Sequence, residues 1–329
     1  MKLEIKQPDP LNILTTTKPV VENAEFVFID EKRISEISEK ILKRFSQGLD
    51  TQETGFGVTD DIENDIQLVF IEDVVNFCFW AGKNQPKWQV EQRNGIATEG
   101  GWYGLKTCFE RAILKGVPIL DANYLASISM EDVAEVFKGI NDTEIPLAEE
   151  RAKNLQEAGK ILLEKFGGKF INAVNKTNYD AIELTKLIIN FFPSFRDVSE
   201  FNGNEIIFLK RAQICSNDLN YVLKTKGGTF SNLNKLTAFA DYKLPQVLRM
   251  FGVLSYSQGL SDKIDNYIEI LHDSREEIEI RSATIWAVEL LRQKLKKLTA
   301  GDIDNTIWLM SQSIQKGAKP YHRTRTIFY

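Results

Sequence analysis

Apolar residues recur at helical spacing along most of the chain. Behind Asp30, which suits a helix N-cap, Ile34, Ile37, Ile41 and Phe45 fall on one face. Residues 48–66 are rich in Gly, Thr and Asp and read as a loop. The following IQLVFIEDVVNFCFWA is apolar nearly all round, which predicts a buried central helix reaching Trp80. The polar stretch 82–101 suits a short hairpin, and helices are predicted at about 102–115, 129–138 and 147–166, the last stopped by Gly167-Gly168. Another runs from Tyr179 to Phe192, ahead of Pro193, and residues 204–224, with FLKRAQICSNDL, read as one helix. SNLNKLTAFADYKLPQVLRMFGVL predicts two linked helices, with Pro245 in the first turn of the second. Ser274 and Glu277 give a capping-box signature, Glu277 and Arg281 pair one turn apart, and a last helix near 302–315 precedes the tail KPYHRTRTIFY. Trp80, Trp286 and Trp308 all fall in predicted helices as core residues, with stacking on a base the alternative for one of them. Strand-like alternation is scarce, EFVFID being the weak exception. With no linker, repeat or low-complexity run, the expectation is one compact all-α domain over residues 1–329, residues 1–24 forming a loosely packed N-terminal segment.

Composition narrows the function classes. A chain of 329 residues, 43% of them hydrophobic, can bury a sizeable core. Its net charge of −5 argues against broad binding to nucleic acid, which needs a basic face, while a small phosphorylated ligand needs only a few clustered cations. Three cysteines without CxxC spacing read as reduced thiols, and two histidines without a ligand motif give no reason to expect a metal or cofactor. The polar start MKLEIKQPDP lacks a secretory apolar run, and no stretch approaches the roughly 20 apolar residues of a membrane span. A cytoplasmic monomer without membrane or stable nucleic-acid partner is expected.

The segment LTAFADYKLPQ is the most unusual in the chain. Asp241 there either caps the helix beginning near Pro245, or pairs with Lys243, or stands as a carboxylate at the mouth of a helical pocket. Lys210-Arg211 ends an apolar run and is either a solvated face or part of an anion site. In the tail, His322, Arg323 and Arg325 lie between Tyr321 and the apolar Ile327-Phe328-Tyr329, which predicts docking on the body. Docked cations there suit a phosphate. Asp302 and Asp304 read first as a helix-cap pair.

Taken in order, NFCFW, FFPSFRD, FLKRAQI, LTAFADYKLPQVLRMFGVLSYS, EIEIRSATIWAVELL and HRTRTIFY resemble the queuosine salvage protein family, over roughly residues 25–329. The resemblance implies an all-helical fold similar to helical DNA glycosylases. It also implies hydrolysis of the N-glycosidic bond of queuosine 5′-monophosphate, releasing queuine for reinsertion into tRNA. By motif match Asp241 is the implied catalytic aspartate, with Tyr242 beside it in the same block. Lys210, His322 and Arg323 fall in the implied phosphate region, and Phe230 and Asp304 near the base. Where the family often has an acid two residues after the aromatic, this chain has Asn232, which puts that position's role in doubt.

The chemistry fits such a site. Cleaving a nucleoside bond builds an oxocarbenium-like charge that an ionised carboxylate stabilises in a water-poor pocket. Queuine, a 7-deazapurine, has no N7 to protonate, so its departure needs hydrogen bonds elsewhere on the base. The competing readings are a helical nucleic-acid-binding module and a DNA or RNA glycosylase acting on a flipped base.

Overall fold

The computed structural model describes residues 3–47, 59, 61–92, 98–312, 314 and 318–329. Along the chain, α1 (Ile13–Glu22) precedes β1 (Val27–Ile29), α2 (Glu31–Ser46), α3 (Ile62–Val74), the short strands β2 (Val90–Glu91) and β3 (Thr98–Glu99), and α4 (Gly101–Leu114). The middle carries α5 (Ala122–Ser127), α6 (Met130–Val136), α7 (Ala148–Phe166), α8 (Ile171–Lys176) and α9 (Ala181–Phe191). Strands β4 (Val198–Phe201) and β5 (Asn204–Ile207) lead into α10 (Lys210–Lys224). The chain then runs through α11 (Lys243–Met250), β6 (Leu254–Tyr256), α12 (Gln258–Asp265), α13 (Arg275–Leu295) and α14 (Ala300–Gln312). The strands form antiparallel pairs β1–β6, β2–β3 and β4–β5, so EFVFID does supply a strand and the 82–101 stretch a hairpin. Among the described residues no helix is long and apolar enough to cross a membrane.

Local chemistry explains most boundaries. The Asp30 carboxylate accepts the N–H groups of Lys32 and Arg33, and Asp180 does the same for Ile182 and Glu183. Gly167 ends α7 at a φ of +59° that L side chains rarely adopt. Within α7, a Cβ at Gly159 would lie 2.3 Å from the Ala126 nitrogen, so the missing side chain is what lets α5 pack directly on α7. Ser274 caps α13 through the Glu277 N–H, but Glu277 turns its own carboxylate to the Asp273 N–H, leaving the box half made.

At the centre, α3 packs on α10 and is buried on every side from Asp65 to Val74. Phe70 stacks on Phe170, with Phe192 and Phe195 beside it. The predicted helix to Trp80 ends early, at Val74. There Arg211 donates to the carbonyls of Asp73 (3.1 Å), Val74 (2.6 Å) and Ser194. Arg151 donates to those of Val75, Phe77 and Cys78. Arg211 thus takes up the helix's last carbonyls and Arg151 those just beyond it, and residues 76–81 run without regular structure, with Cys78 at a φ of +41°. Trp80 therefore lies outside any helix.

Other expectations are corrected as well. Residues 204–207 belong to β5, and α10 starts only at Lys210, whose N–H is held by Asp197 at 3.0 Å. Of the two linked helices expected around Asp241, the first is only a 3-10 turn at Leu233–Lys235 followed by extended chain. The N-terminal segment, where described, is not loose: Leu3, Leu11, Ile13, Leu14 and Val20 are buried. Helix α1 packs on α13, where Trp286 Nε1 donates to the Thr17 hydroxyl at 3.1 Å. Most of the 48–66 loop (48–58 and 60) lies outside the described residues.

Leu14→Ala removes a side chain with no exposed surface and should lower stability by about 2–5 kcal/mol. Urea unfolding checks this. A change below about 0.5 kcal/mol, the size typical of surface substitutions, would mean the segment is loosely attached after all.

Candidate active site

One face of α10 forms a wall of a cavity of about 290 Å³: Lys210, Ile214, Asn217, Asp218 and Tyr221 recur at helical spacing, while Ala212, Cys215, Leu219 and Val222 pack into the core. Another part of the wall comes from a run without regular structure that is held at successive points. Gln213 Oε1 accepts the Thr237 N–H at 2.9 Å, Asp304 Oδ2 accepts that of Phe239 at 2.7 Å, and Arg281 Nε donates to the Ala240 carbonyl at 3.3 Å. These bonds replace those a helix would have made internally, and they set Asp241 in the cavity wall.

Asp241 then does what the capping reading said: its Oδ1 accepts the N–H groups of Lys243 and Leu244 at 2.7 and 2.9 Å and opens α11. Burial raises its pKa, while Lys210, the two N–H donors and Lys243 oppose that rise. Lys210 is itself buried, its Nζ 3.4 Å from the Asn76 carbonyl. Burial lowers its pKa against the pull of Asp241, Asp73 and Asp218. Lys210 is thus a cation among carboxyls. Asp304 does not share a cap with Asp302, which pairs instead with Thr299. Buried in the wall, with Asp241 nearby, Asp304 has a pKa raised well above the carboxylate range.

Two lysines line the cavity as well. The Lys243 Nζ lies 5.0 Å from the ring of Tyr321, and Lys87 is close enough to act on it. Burial lowers the Lys243 pKa, Asp241 raises it and Lys87 lowers it further. Tyr242, buried and 4.8 Å from Tyr321 between ring centroids, also lines the cavity. Elsewhere in the lining Trp308 meets Tyr103 at 5.5 Å, and Phe79 rather than Trp80 joins the wall.

The tail docks on the body. The Arg323 carbonyl accepts the Ile270 N–H at 2.7 Å, the Tyr329 carbonyl accepts that of Cys78 at 2.8 Å, and the Tyr329 hydroxyl donates to Glu277 at 2.9 Å. His322 is buried 3.3 Å from that hydroxyl, and burial with the Arg281 charge drives its pKa to about 3, so it is neutral. Arg323 lies over Tyr267 and Trp80. Tyr321 and Tyr329 line the cavity, whereas His322 and Arg323 do not.

Phe230 and Asn232 are not brought to the cavity either. A bridge between Asp180 and Ser231 pins their stretch to the start of α9. Asn232 donates to the Asp180 carboxylate, and the Phe230 N–H goes to Asn220. An aromatic followed two residues later by an acid does line the cavity, but the pair is Phe239 and Asp241. Outside the cavity, His272, Asp273 and Glu277 bring donor atoms within 4.8 Å of one another. Glu277 already accepts from Tyr329 and the Asp273 N–H, and Asp273 accepts from the Ser199 hydroxyl.

Comparison with known proteins matches residues 57–329 to the family described as queuosine salvage protein. The chain belongs to the queuosine salvage protein family. It is 42% identical over 326 residues, 98% of both chains, to a queuosine 5′-phosphate N-glycosylase/hydrolase of Sphaerobacter thermophilus. A protein of the same name from Mus musculus is 37% identical over 97% of this chain and 99% of its own. One from Bos taurus is 36% identical over 95% and 97%. Lys87, Asp218 and Tyr221 escaped sequence reasoning. The spacing of Lys210, Asn217, Asp218 and Tyr221 on one helix face was the signal that would have found two of them.

Deleting residues 322–329 should lower the melting temperature and activity together, because it strips fully buried Tyr329 from Arg281 and Glu277. Thermal unfolding and turnover of the truncated chain check this. Unchanged values for both would make the tail an accessory.

Proposed function

We propose that this chain hydrolyses the N-glycosidic bond of queuosine 5′-monophosphate, giving queuine for tRNA modification and ribose 5-phosphate. The observation that carries the reading is Asp241, a carboxylate fixed by two N–H donors in the wall of a cavity that is also lined by lysines, other acids and aromatic rings. The 5′-phosphate lies against Lys243 and Lys87, a pair that a plain nucleoside leaves unused. The base lies against Asn217, Tyr221, Asp304 and Trp308, with aromatic faces for its ring and carboxyl oxygens for its N–H groups. Between them, C1′ meets Asp241, whose charge opposes the oxocarbenium-like charge as the bond lengthens. Lys210 opposes the rise that burial gives the Asp241 pKa, favouring its charged form, rather than reaching the phosphate. Binding energy from the phosphate end orients the reacting carbon.

The wider reading is a single helical domain over residues 1–329, similar in frame to helical DNA glycosylases, acting as a cytoplasmic monomer. One continuous apolar core supports the single domain. The net charge of −5 favours a free mononucleotide over a duplex as substrate.

Asp241→Asn keeps the shape and one acceptor oxygen but loses the charge. Single-turnover release of queuine should fall at least about a hundredfold with the fold intact. A folded variant releasing queuine at near wild-type rate would remove Asp241 from the mechanism. Lys243→Ala should cut kcat/KM for the nucleotide about ten- to a hundredfold, the worth of a charge-assisted contact, and leave the slower nucleoside reaction nearly unchanged. Equal losses on both substrates would place the phosphate elsewhere.

A further inference from the structure

Three buried carboxyls meet where α3 packs on α10: Glu72 and Asp73 on α3, and Asp218 on α10. Asp218 reaches the cavity wall, while the other two stand behind it. Among the described residues neither Glu72 oxygen has a hydrogen-bond partner, and Asp73 Oδ2 lacks one as well. An ionised carboxylate deprived of both water and donors is costly, so a cluster built this way holds protons rather than charges. We propose that Asp218 is a second catalytic residue, the acid that gives its proton to the departing base, with Glu72 and Asp73 as the buried acids behind it.

The charged surroundings agree. Burial, and then the neighbouring acids Asp73 and Glu72, raise Asp218 well above its ordinary value, against the opposing pull of Lys210 and an Asn217 hydrogen bond. Burial likewise raises Glu72, which faces Lys106 and Asp73, and Asp73, which faces Lys210 and Arg211. Arg211 gives hydrogen bonds to backbone carbonyls at that point, and Cys215 and Tyr221 complete the titratable neighbours on α10. Asp304 is placed for a different task. Its Oδ2 is fixed as an acceptor of the Phe239 N–H, which suits holding the base's donors rather than delivering a proton.

The proposal rests on the hydrolase reading of the cavity. In the step, the C1′–N9 bond breaks and its electron pair passes to the base. The Asp218 O–H bond also breaks, and its proton goes to a heteroatom of the base, since a 7-deazapurine has no N7 to receive one. Water bonds to C1′ and gives its proton to Asp241. Solvent then returns that proton to Asp218, so the sum is nucleotide plus water giving free base and ribose 5-phosphate.

The test is Asp218→Asn in the full chain, assayed on queuosine 5′-monophosphate and on p-nitrophenyl riboside 5-phosphate, whose leaving group departs without a proton. The single-turnover rate on the nucleotide should fall at least about a hundredfold, while the aryl substrate keeps its wild-type rate to within about threefold. Comparable loss on both substrates, or on neither, overturns the proposal. Where the variant does not fold or the aryl compound is not accepted, the wild-type pH profile decides. An acid must be protonated to act, so the rate on the nucleotide must fall as pH rises through the pKa of Asp218. A flat alkaline side overturns the assignment. A wild type that releases no queuine from the nucleotide removes the hydrolase reading itself, separately from the role of Asp218.

Discussion

The guanidinium of Arg281 joins most of the segments that make the cavity. Fully buried on α13, it donates to both oxygens of Asp197 at 2.8 and 2.5 Å and to the Ala240 carbonyl, one residue before Asp241. Glu277 stands 3.8 Å away, and the rings of Phe208 and Tyr329 lie within 4.0 and 4.5 Å of the cation. Asp197 passes the connection on by accepting the Lys210 N–H, which starts α10. One cation and two carboxylates therefore fix the register of α13, the first turn of α10, the approach to Asp241 and the tail. Burial opposes the charge of Arg281, but Asp197 and Glu277 outweigh it and keep the cation charged. Such a cluster adds little net stability over apolar packing, yet removing one partner leaves a bare charge, at about 3–5 kcal/mol. Its contribution is position.

Position matters because the proposed function gives Asp241 two tasks that usually exclude each other. A helix cap is satisfied by N–H donors and lies near the surface, whereas a catalytic carboxylate has to sit in a dry pocket and stay ionised. Here the cap is what permits the second role. The N–H groups of Lys243 and Leu244 offset part of the desolvation at Oδ1, and Lys210 adds an opposite charge, while the residue stays in the cavity wall.

Elements with local causes were legible in the sequence. Asp30 and Ser274 caps, the Gly167 stop and the apolar stripe of α2 act within a few residues, so spacing alone reveals them. The end of α3 was not legible, because an apolar run gives no period to separate helix from buried extended chain. There the decision falls to Arg151 and Arg211, far along the sequence. The base-side pair failed for a related reason. An aromatic followed by a polar residue two positions on occurs at Phe230-Asn232 and again at Phe239-Asp241. Only the contacts of Asp180, Asp304 and Arg281 determine which pair faces the cavity. His322 misled as a cation because burial, invisible in the sequence, makes it neutral.

The cavity separates chemically similar carboxyls by their surroundings. Asp241 has two backbone donors and a lysine, which favour the charged form. Asp304 has one backbone donor and the Asp241 charge beside it, which favours the neutral form and fixes one oxygen as an acceptor. Asp218 is raised first by burial and then by the acids Asp73 and Glu72 behind it. Lys210 lies among these groups and couples them. On the proposed reading, charge gained at Asp218 when a base departs draws on the same lysine that favours the ionised form of Asp241. Protonation of the base and stabilisation of the cation at C1′ would then be one electrostatic event rather than two, and a fold that placed Lys210 elsewhere would weaken both at once. The helix face that carries Lys210 and Asp218 would be as much a part of the proposed chemistry as Asp241.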